Sequence, residues 1–356
     1  MTIDGLISEE NMLLAEGPAI SSRIRLARNI EQYSFPNWAT KETKKEVWDL
    51  CIDAFTEMKE TFVGVEMGTL SELDRDLLFE QHLISQELAG KDTGSGVFIA
   101  HNKTLTIMVN EEDHIRIQAL HPGLDLKAAW KQADKLDDEL EKRVTYAFSS
   151  KLGYLTSCPS NVGTGMRASV MLHLPGLVLM EEMEPVMNGI SKIGLAVRGM
   201  WGEGTEAAGN MFQISNQITL GRSEKEIVEH LEQIVSELIE HEKNARERLL
   251  QDRTIIIKDQ VARALGILSC ARLITSSEAL NFLSMLRLGY SLGVVKDFAR
   301  NDLDKLFVAI QPAHLQKKRN KTMTSLDRDI FRADILRNFM DKNRLSEKNK
   351  LGIKNG

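Results

Sequence analysis

The sequence predicts an α+β chain: an antiparallel β-sheet flanked by helices over residues 1–252, then an all-α helical bundle over 253–356. Three observations predict it. Apolar residues alternate with polar ones, two apart, through several short runs of the first 220 residues, the mark of half-buried strands. Between these runs lie segments whose apolar residues recur at three and four, the mark of helices packed on a sheet. From Ile255 onward the strand texture stops and helical patterns follow one another to the end.

A chain of 356 residues is long enough for two domains with a sizeable core. Its formal net charge of -6 argues against a general nucleic-acid binder. No apolar run has the length of a membrane span, and residues 1–15 do not read as a secretory leader. Cys51, Cys158 and Cys270 are few, odd in number and far apart, which excludes a disulfide framework and a paired-cysteine zinc site and suits a reducing cytoplasm.

In order along the chain, residues 21–29 alternate arginine with aliphatic side chains. On a strand this sets Arg23 and Arg25 on one face and Ile24 and Leu26 on the other. Two guanidiniums aimed together either bind an anion or protect a sheet edge. Residues 40–60 read as an amphipathic helix burying Val47, Trp48, Cys51, Ile52 and Phe55. Residues 96–100 and 104–109, split by His101, Asn102 and Lys103, form a meander that turns at Asn110-Glu111-Glu112-Asp113-His114. After the turn His114, Arg116 and Gln118 share one face, so carboxylates and an arginine meet there, as a site or as a solvated acidic hairpin.

A helix follows over 126–148, its charges forming a solvated face and its Trp130 and Tyr146 serving packing. Next comes Cys158-Pro159-Ser160-Asn161-Val162-Gly163-Thr164-Gly165-Met166-Arg167. Cys158 there is either a core thiol or, beside polar groups and a cationic substrate, a supportive thiolate. Residues 172–177 lead through a loop to a strand over 194–197 that delivers Arg198. Four glycines around Trp201, Glu203 and Glu206 then describe a mobile loop, and residues 212–221 alternate as a last strand. Ser223 and Glu226 make a capping box for a helix to about residue 250, and Thr275 with Glu278 caps another.

The turn at 110–114, the Cys158 segment and Arg198-Gly199-Met200-Trp201-Gly202-Glu203, in that order, resemble the phosphagen (guanidino) kinase family over residues 15–250. The resemblance implies a guanidino-kinase catalytic domain using ATP with Mg2+, the ion held by phosphate and water with no protein metal site. It implies that Arg23, Arg25, Arg116, Arg167 and Arg198, with Ser22 in the same segment, hold the nucleotide phosphates. Met171 stands where many members place a histidine against adenine.

Chemically, a guanidinium is protonated and a poor nucleophile, so a carboxylate must orient it and take its proton. Glu112 is assigned that role, with Glu203 as a second clamp and Cys158 in support. His114 and His173 are expected to be structural.

The early arginine strand and the added bundle resemble the bacterial branch of the family that acts on arginine in proteins. That branch implies cytoplasmic protein substrates with exposed arginines, such as a heat-shock repressor and misfolded proteins, an activator protein, Clp-type protease machinery and a homodimer. It also implies that Arg328, Asp329, Arg332 and Ala333 bind phosphoarginine as a regulatory ligand. From spacing alone, Arg328 and Arg332 share a helical face that either grips a phosphate or is solvated. Alternatives to this function are a free L-arginine kinase and an idle phosphoarginine-binding adaptor.

Overall fold

The computed structural model describes residues 17–56, 58, 62–199, 208–296 and 298–350, with side chains to 342. Among them are ten strands and twelve α-helices. The chain divides into two compact units. The first comprises residues up to 172 with 187–197 and 213–237, and the second comprises 173–186, 198–212 and everything from 238.

The first unit is built on β1 (Ala19–Arg28), β2 (Phe62–Glu66), β3 (Gly96–Ala100), β4 (Leu105–Val109), β5 (Ile115–Pro122) and β8 (Met166–His173). With β9 (Leu195–Gly199) and β10 (Met211–Asn216) they follow the order β2-β3-β4-β5-β1-β8-β10-β9. Strands β6 (Phe148–Ser149) and β7 (Gly153–Tyr154) make a separate hairpin. The resolved pairings β2-β3, β3-β4, β4-β5, β5-β1 and β1-β8 are all antiparallel.

Register follows from side-chain parity. Ile24 lies opposite Ala119 and Ala168, and Leu26 opposite Ile117 and Met166, so these side chains stack into one apolar face. Helix α1 (Lys41–Thr56) covers that face at one end, with Trp48 stacked on Phe98 at 4.9 Å between ring centres. The expected Ile52 is exposed and Ala54 takes its place in the buried stripe. Helix α4 (Leu126–Glu141) covers β1 and β5 with Leu126, Ala129, Ala133, Leu136 and Leu140.

Helix α4 ends at Glu141, earlier than its sequence period suggests, because the next residues are captured as extended chain: Tyr146 bridges Ile30. Its charged side is only partly solvated. Asp137 is buried and binds the buried Arg28 guanidinium at 2.6 Å, which also stacks over the Tyr154 ring at 3.6 Å. A buried charge is tolerated only when paired and hydrogen-bonded in this way. Trp130 and Tyr146 do more than pack: Trp130 Nε1 donates to Glu224 at 2.8 Å and Tyr146 donates to Asp137 at 2.9 Å. Two short helices, α2 (Glu72–Glu80) and α3 (Gln86–Ala89), complete this part, capped by Ser71 and Ser85.

The second unit contains α5 (Pro175–Leu179) and the bundle α8 (Thr254–Cys270), α9 (Ser276–Ser291), α10 (Arg300–Ala309), α11 (Pro312–Arg319) and α12 (Ser325–Lys350). Two helices cross the division, α6 (Met183–Lys192) and α7 (Glu224–Asp252). Residues 173–179 join the helical unit for a visible reason. The buried Glu242 on α7 accepts the N–H groups of Gly176 and Leu177, both at 2.9 Å, and Arg246 donates to His173 O at 3.1 Å. In space, residues 173–186 and 198–212 are grouped with the segment from 238 onward. The capping box at Ser223 forms as expected, and Thr275 caps its helix by accepting from Glu278 N at 3.3 Å. The last strand stops at Asn216; beyond it Thr219 turns inward to bind carbonyls, which ends the alternation.

Candidate active site

Because α1 and α4 cover one face of the sheet, the other face carries the polar side chains of odd parity in β1 and β8. Arg25 lies between Gln118 and Arg167, and Arg23 lies beside Ser169. Arg116, two residues before Gln118, shares this face, as does Met171, opposite Ser21. Four arginines are thus gathered on one unit's sheet by strand period and register alone. Arg198, half-buried on β9, belongs to the second unit.

The cluster repels itself. Burial and then the neighbouring Arg116 and Arg167 pull the Arg23 pKa down to about 10. Arg25 is pulled well below its usual value by burial and then by Arg23, Arg116 and Arg167, with Glu111 opposing. Arg23 is steadied by Gln213, whose Oε1 accepts from Nη2 at 2.6 Å. Arg25 Nε is buried with no hydrogen-bond partner among the described residues. A buried donor on a self-repelling cationic cluster fits an anion such as a nucleotide's phosphates.

At the edge of this face the 110–114 turn closes through Asn110 N and His114 O at 2.9 Å, with Asn110 at φ 53°. Asparagine tolerates that left-handed conformation, and here its Nδ2 also donates to Gly94 O at 2.6 Å and Lys44 O at 2.8 Å. The turn folds both glutamates back over Arg116, which binds Glu111 at 2.6 Å and Glu112 at 2.9 Å. Glu111 is buried and also accepts from Ser85 Oγ and the Glu112 N–H. It is therefore a holder of the turn. The Glu112 side chain is 37% exposed and keeps carboxylate capacity for a second cation. Arg116, expected on a phosphate, is instead engaged with these two carboxylates.

Asp113 joins the turn to the cysteine loop. Its Oδ1 accepts from Asn29 Nδ2 at 2.7 Å and from Ser157 N at 2.6 Å. Glu112 and Cys158 are each one residue beyond this bridge, so the bridge holds their two segments side by side. Cys158 is half-buried, its sulfur 3.0 Å from Ser160 Oγ. Cys51, by contrast, is a core thiol whose pKa burial pushes up to about 12. His114 is structural as expected: Nδ1 accepts from Ile30 N at 3.1 Å and Nε2 lies 3.0 Å from Ser34 O. His173 is structural as well, buried with Nε2 2.8 Å from Ser284 Oγ.

Ser22 does not join the arginines. It has the parity of Ile24 and faces away, its buried hydroxyl donating to Gly123 O at 2.8 Å and accepting from Asp125 N at 2.9 Å. Glu203 lies outside the described residues. Sequence reasoning missed His82, which stands at φ 58° after α2 and whose carbonyl accepts from Gln118 Nε2 on the arginine face at 2.8 Å. Burial and then the charge of Arg23 lower its pKa to about 4, so it is neutral at physiological pH. It missed Gln213 too; the alternating pattern around 212–216 was the available signal.

In the second unit Arg332 is buried. It donates to Ile310 O and Ile274 O, both at 2.9 Å, and pairs with Asp329 at 2.5 Å. Arg328 is half-buried and donates to Met323 O at 2.9 Å and Ser325 Oγ at 3.1 Å. Both guanidiniums are thus committed to protein oxygens, and Ala333 packs in the core.

Residues 44–245 match the ATP:guanido phosphotransferase C-terminal catalytic domain. The chain belongs to the ATP:guanido phosphotransferase family. Residues 254–351 match a second domain, described as the protein-arginine kinase McsB C-terminal domain. The chain is 46% identical over 344 residues to a protein-arginine kinase of Halothermothrix orenii, covering 95% of this chain and 99% of that one. It is 47% identical over 332 residues to a protein-arginine kinase of Pelotomaculum thermopropionicum, covering 91% and 93%. Among solved structures it is similar to the duplicated taurocyamine kinase of Schistosoma mansoni with bound transition-state-analogue components. That match has a TM-score of 0.59 and 31% identity, over 65% of this chain and 34% of that one. It is also similar to lombricine kinase, with a TM-score of 0.58 and 26% identity over 67% and 70%. The guanidino-kinase fold expected from the motifs is therefore the fold of the chain, with ATP as the phosphoryl donor its family uses. Among the described residues no helix is long and apolar enough to cross a membrane.

Proposed function

We propose that this protein transfers the γ-phosphoryl group of ATP to arginine side chains of proteins. The observation that carries the reading is the half-exposed Glu112 carboxylate set at the edge of a self-repelling arginine face. The full-length similarity to protein-arginine kinases supplies the acceptor class.

Glu112 already presents one oxygen to the Arg116 guanidinium, and the same carboxylate pairs with an incoming arginine. Held there, it fixes which terminal nitrogen faces the phosphorus and accepts the proton that nitrogen sheds. Arg23, Arg25 and Arg167 are in place beforehand to meet charge that spreads over the equatorial phosphate oxygens. Mg2+, bound with the nucleotide, neutralises phosphate charge. Cys158, tied through Ser157 to Asp113, supports the guanidinium from the second segment. The family resemblance alone assigns Arg198 as a further phosphate ligand and Glu203 as a second clamp. Proteins with exposed arginines, misfolded ones among them, are its substrates in the stress response. Regulation through Arg328, Asp329 and Arg332 requires these side chains to exchange their present oxygen partners for a phosphoarginine.

The test is mass spectrometry of an arginine-bearing protein after incubation with Mg-ATP, avoiding acid because the phosphoramidate bond is acid-labile. Phosphoarginine is expected with the native enzyme. Glu112→Gln is expected to lower turnover at least about 100-fold with nucleotide affinity retained. Labelling by Glu112→Gln at the native rate refutes the assignment.

A further inference from the structure

Beside the cysteine loop, and wholly within the first unit, lies an open cleft of about 500 Å3 that the chemistry above does not use. Leu152 and Leu220 line it and are 47% and 51% exposed. Tyr154 lines it as well, with the buried Arg28 guanidinium stacked on its ring and Phe148, 60% exposed, set edge-on at 5.3 Å. Lys151 and Arg222 stand on its rim, and neither head group makes an ion pair among the described residues. Arg222 has Glu226 in its neighbourhood, but that carboxylate is held by Ser223 at 2.6 and 2.8 Å. The cleft's own acid, Glu224, is engaged by Trp130 and Arg28. The exposed apolar surface therefore comes with two cationic side chains at its rim, Lys151 and Arg222, the second with Glu226 nearby.

The cleft and the catalytic loop are one piece of structure. Thr219 Oγ1 donates to Ser160 O at 3.0 Å and Val162 O at 2.7 Å, and its carbonyl accepts from Thr164 N at 3.1 Å. Across the floor, Gly153 approaches Gly163 so closely that a Cβ at 153 would lie 2.4 Å from the Gly163 carbonyl oxygen. The strip from Cys158 to Thr164 thus has the acceptor site at one end and the cleft at the other.

Resting on the proposed function, we infer that this cleft holds the polypeptide of the protein substrate beside its target arginine. It takes a stretch that carries an apolar side chain and an acidic one within a few residues of that arginine. Extended chain advances about 3.3 Å per residue, so two to four residues span about 7 to 13 Å from the reacting side chain. An apolar side chain settles between Leu152 and Leu220 over Tyr154, and a carboxylate meets Lys151 and Arg222. A free amino acid has nothing to place there, so the cleft discriminates protein-borne from free arginine.

The experiment compares two synthetic peptides with a single arginine, one flanked by leucine and glutamate at two to four residues, the other by glycine and serine. The native enzyme is expected to show about tenfold lower KM for the first, with similar kcat. The double variant Leu152→Ser/Leu220→Ser, at exposed positions, is expected to lose that preference while its turnover of the glycine-serine peptide and its KM for ATP stay unchanged. Arg222→Glu is expected to shift preference toward a lysine-flanked peptide. Labelling of both peptides without preference overturns the inference alone, as does a preference that survives the double variant. A double variant that changes only concentration-dependent self-association, seen by light scattering, assigns the cleft to a second copy of the chain and overturns it too. No phosphoarginine in any peptide or protein removes the parent reading and this one together.

Discussion

Asp113→Ala separates stability from alignment. In the native protein the buried Oδ1 of Asp113 takes two short hydrogen bonds, from Asn29 Nδ2 at 2.7 Å and Ser157 N at 2.6 Å, while Oδ2 has no partner among the described residues. Bonds to a charged acceptor contribute about 1.5–3 kcal/mol each. Asn29 keeps a second acceptor in Leu155 O at 3.1 Å, whereas Ser157 N is left bare, so the expected loss is about 3 kcal/mol, a large part of a typical fold's margin. The catalytic loss is expected to be about 100-fold in kcat, because the segments bearing Glu112 and Cys158 are no longer fixed together and a displacement of about 1 Å has that effect. KM for ATP is expected to hold, since the arginines sit on the sheet, not on these loops. Asp113→Asn retains an acceptor oxygen and is expected to recover most of both losses. Thermal unfolding and steady-state kinetics at saturating ATP read the two effects separately. An Asp113→Ala enzyme that melts earlier yet turns over at the native rate would show that the bridge serves stability alone.

The histidines predict an acid limit. His82 is held to about 4 by burial and Arg23, and His173 well below its usual value by burial and then Arg287, Arg246 and Arg300. Both folded values lie under the unfolded value of about 6.5. The unfolded chain therefore takes up protons that the fold refuses, and stability is lost as pH falls through 6.5 toward 4. Melting temperatures from pH 7.5 to 4.5 should show that slope, and His173→Gln should flatten it; equal slopes contradict the account. Cys158→Ala is expected to lower kcat about tenfold with nucleotide affinity intact, because the thiol supports and does not form a bond. A complete loss of activity, or trapping of a covalent adduct, would contradict this. Arg332→Ala leaves the carbonyls of Ile310 and Ile274 without their donor and is expected to destabilise the bundle by about 3 kcal/mol in chemical denaturation. Calorimetric titration of the full-length protein with phosphoarginine checks the regulatory reading; heat no greater than dilution rejects it.

Much of the site could be read from the sequence because strands have a period of two. Arg23 and Arg25 face together, and the same parity in β8 adds Arg167. The same rule should have excluded Ser22, which has the parity of Ile24. Register was not legible: nothing local says that Arg25 would lie between Arg167 and Gln118. Arg116 was legible as a residue of the site but not in its present partnership, which depends on how the left-handed Asn110 folds the turn back. His82 carried no pattern at all, since its place comes from a chain reversal after α2. The grouping of residues 173–186 with the helical unit in space carries no local signal. Residues 173–179 are drawn into the helical unit by Glu242 and Arg246, some seventy positions later.

The crowding of like charge on the sheet face has a thermodynamic consequence. Burial and neighbouring guanidiniums disfavour the charged forms of Arg23 and Arg25, so an anion that binds them makes the loaded protein more robust than the empty one. At a nucleotide concentration of about 100 times Kd the gain is about 2.7 kcal/mol, and inorganic sulfate or phosphate should deliver part of it. Resistance of this enzyme to heat is thereby tied to the supply of its own phosphoryl donor.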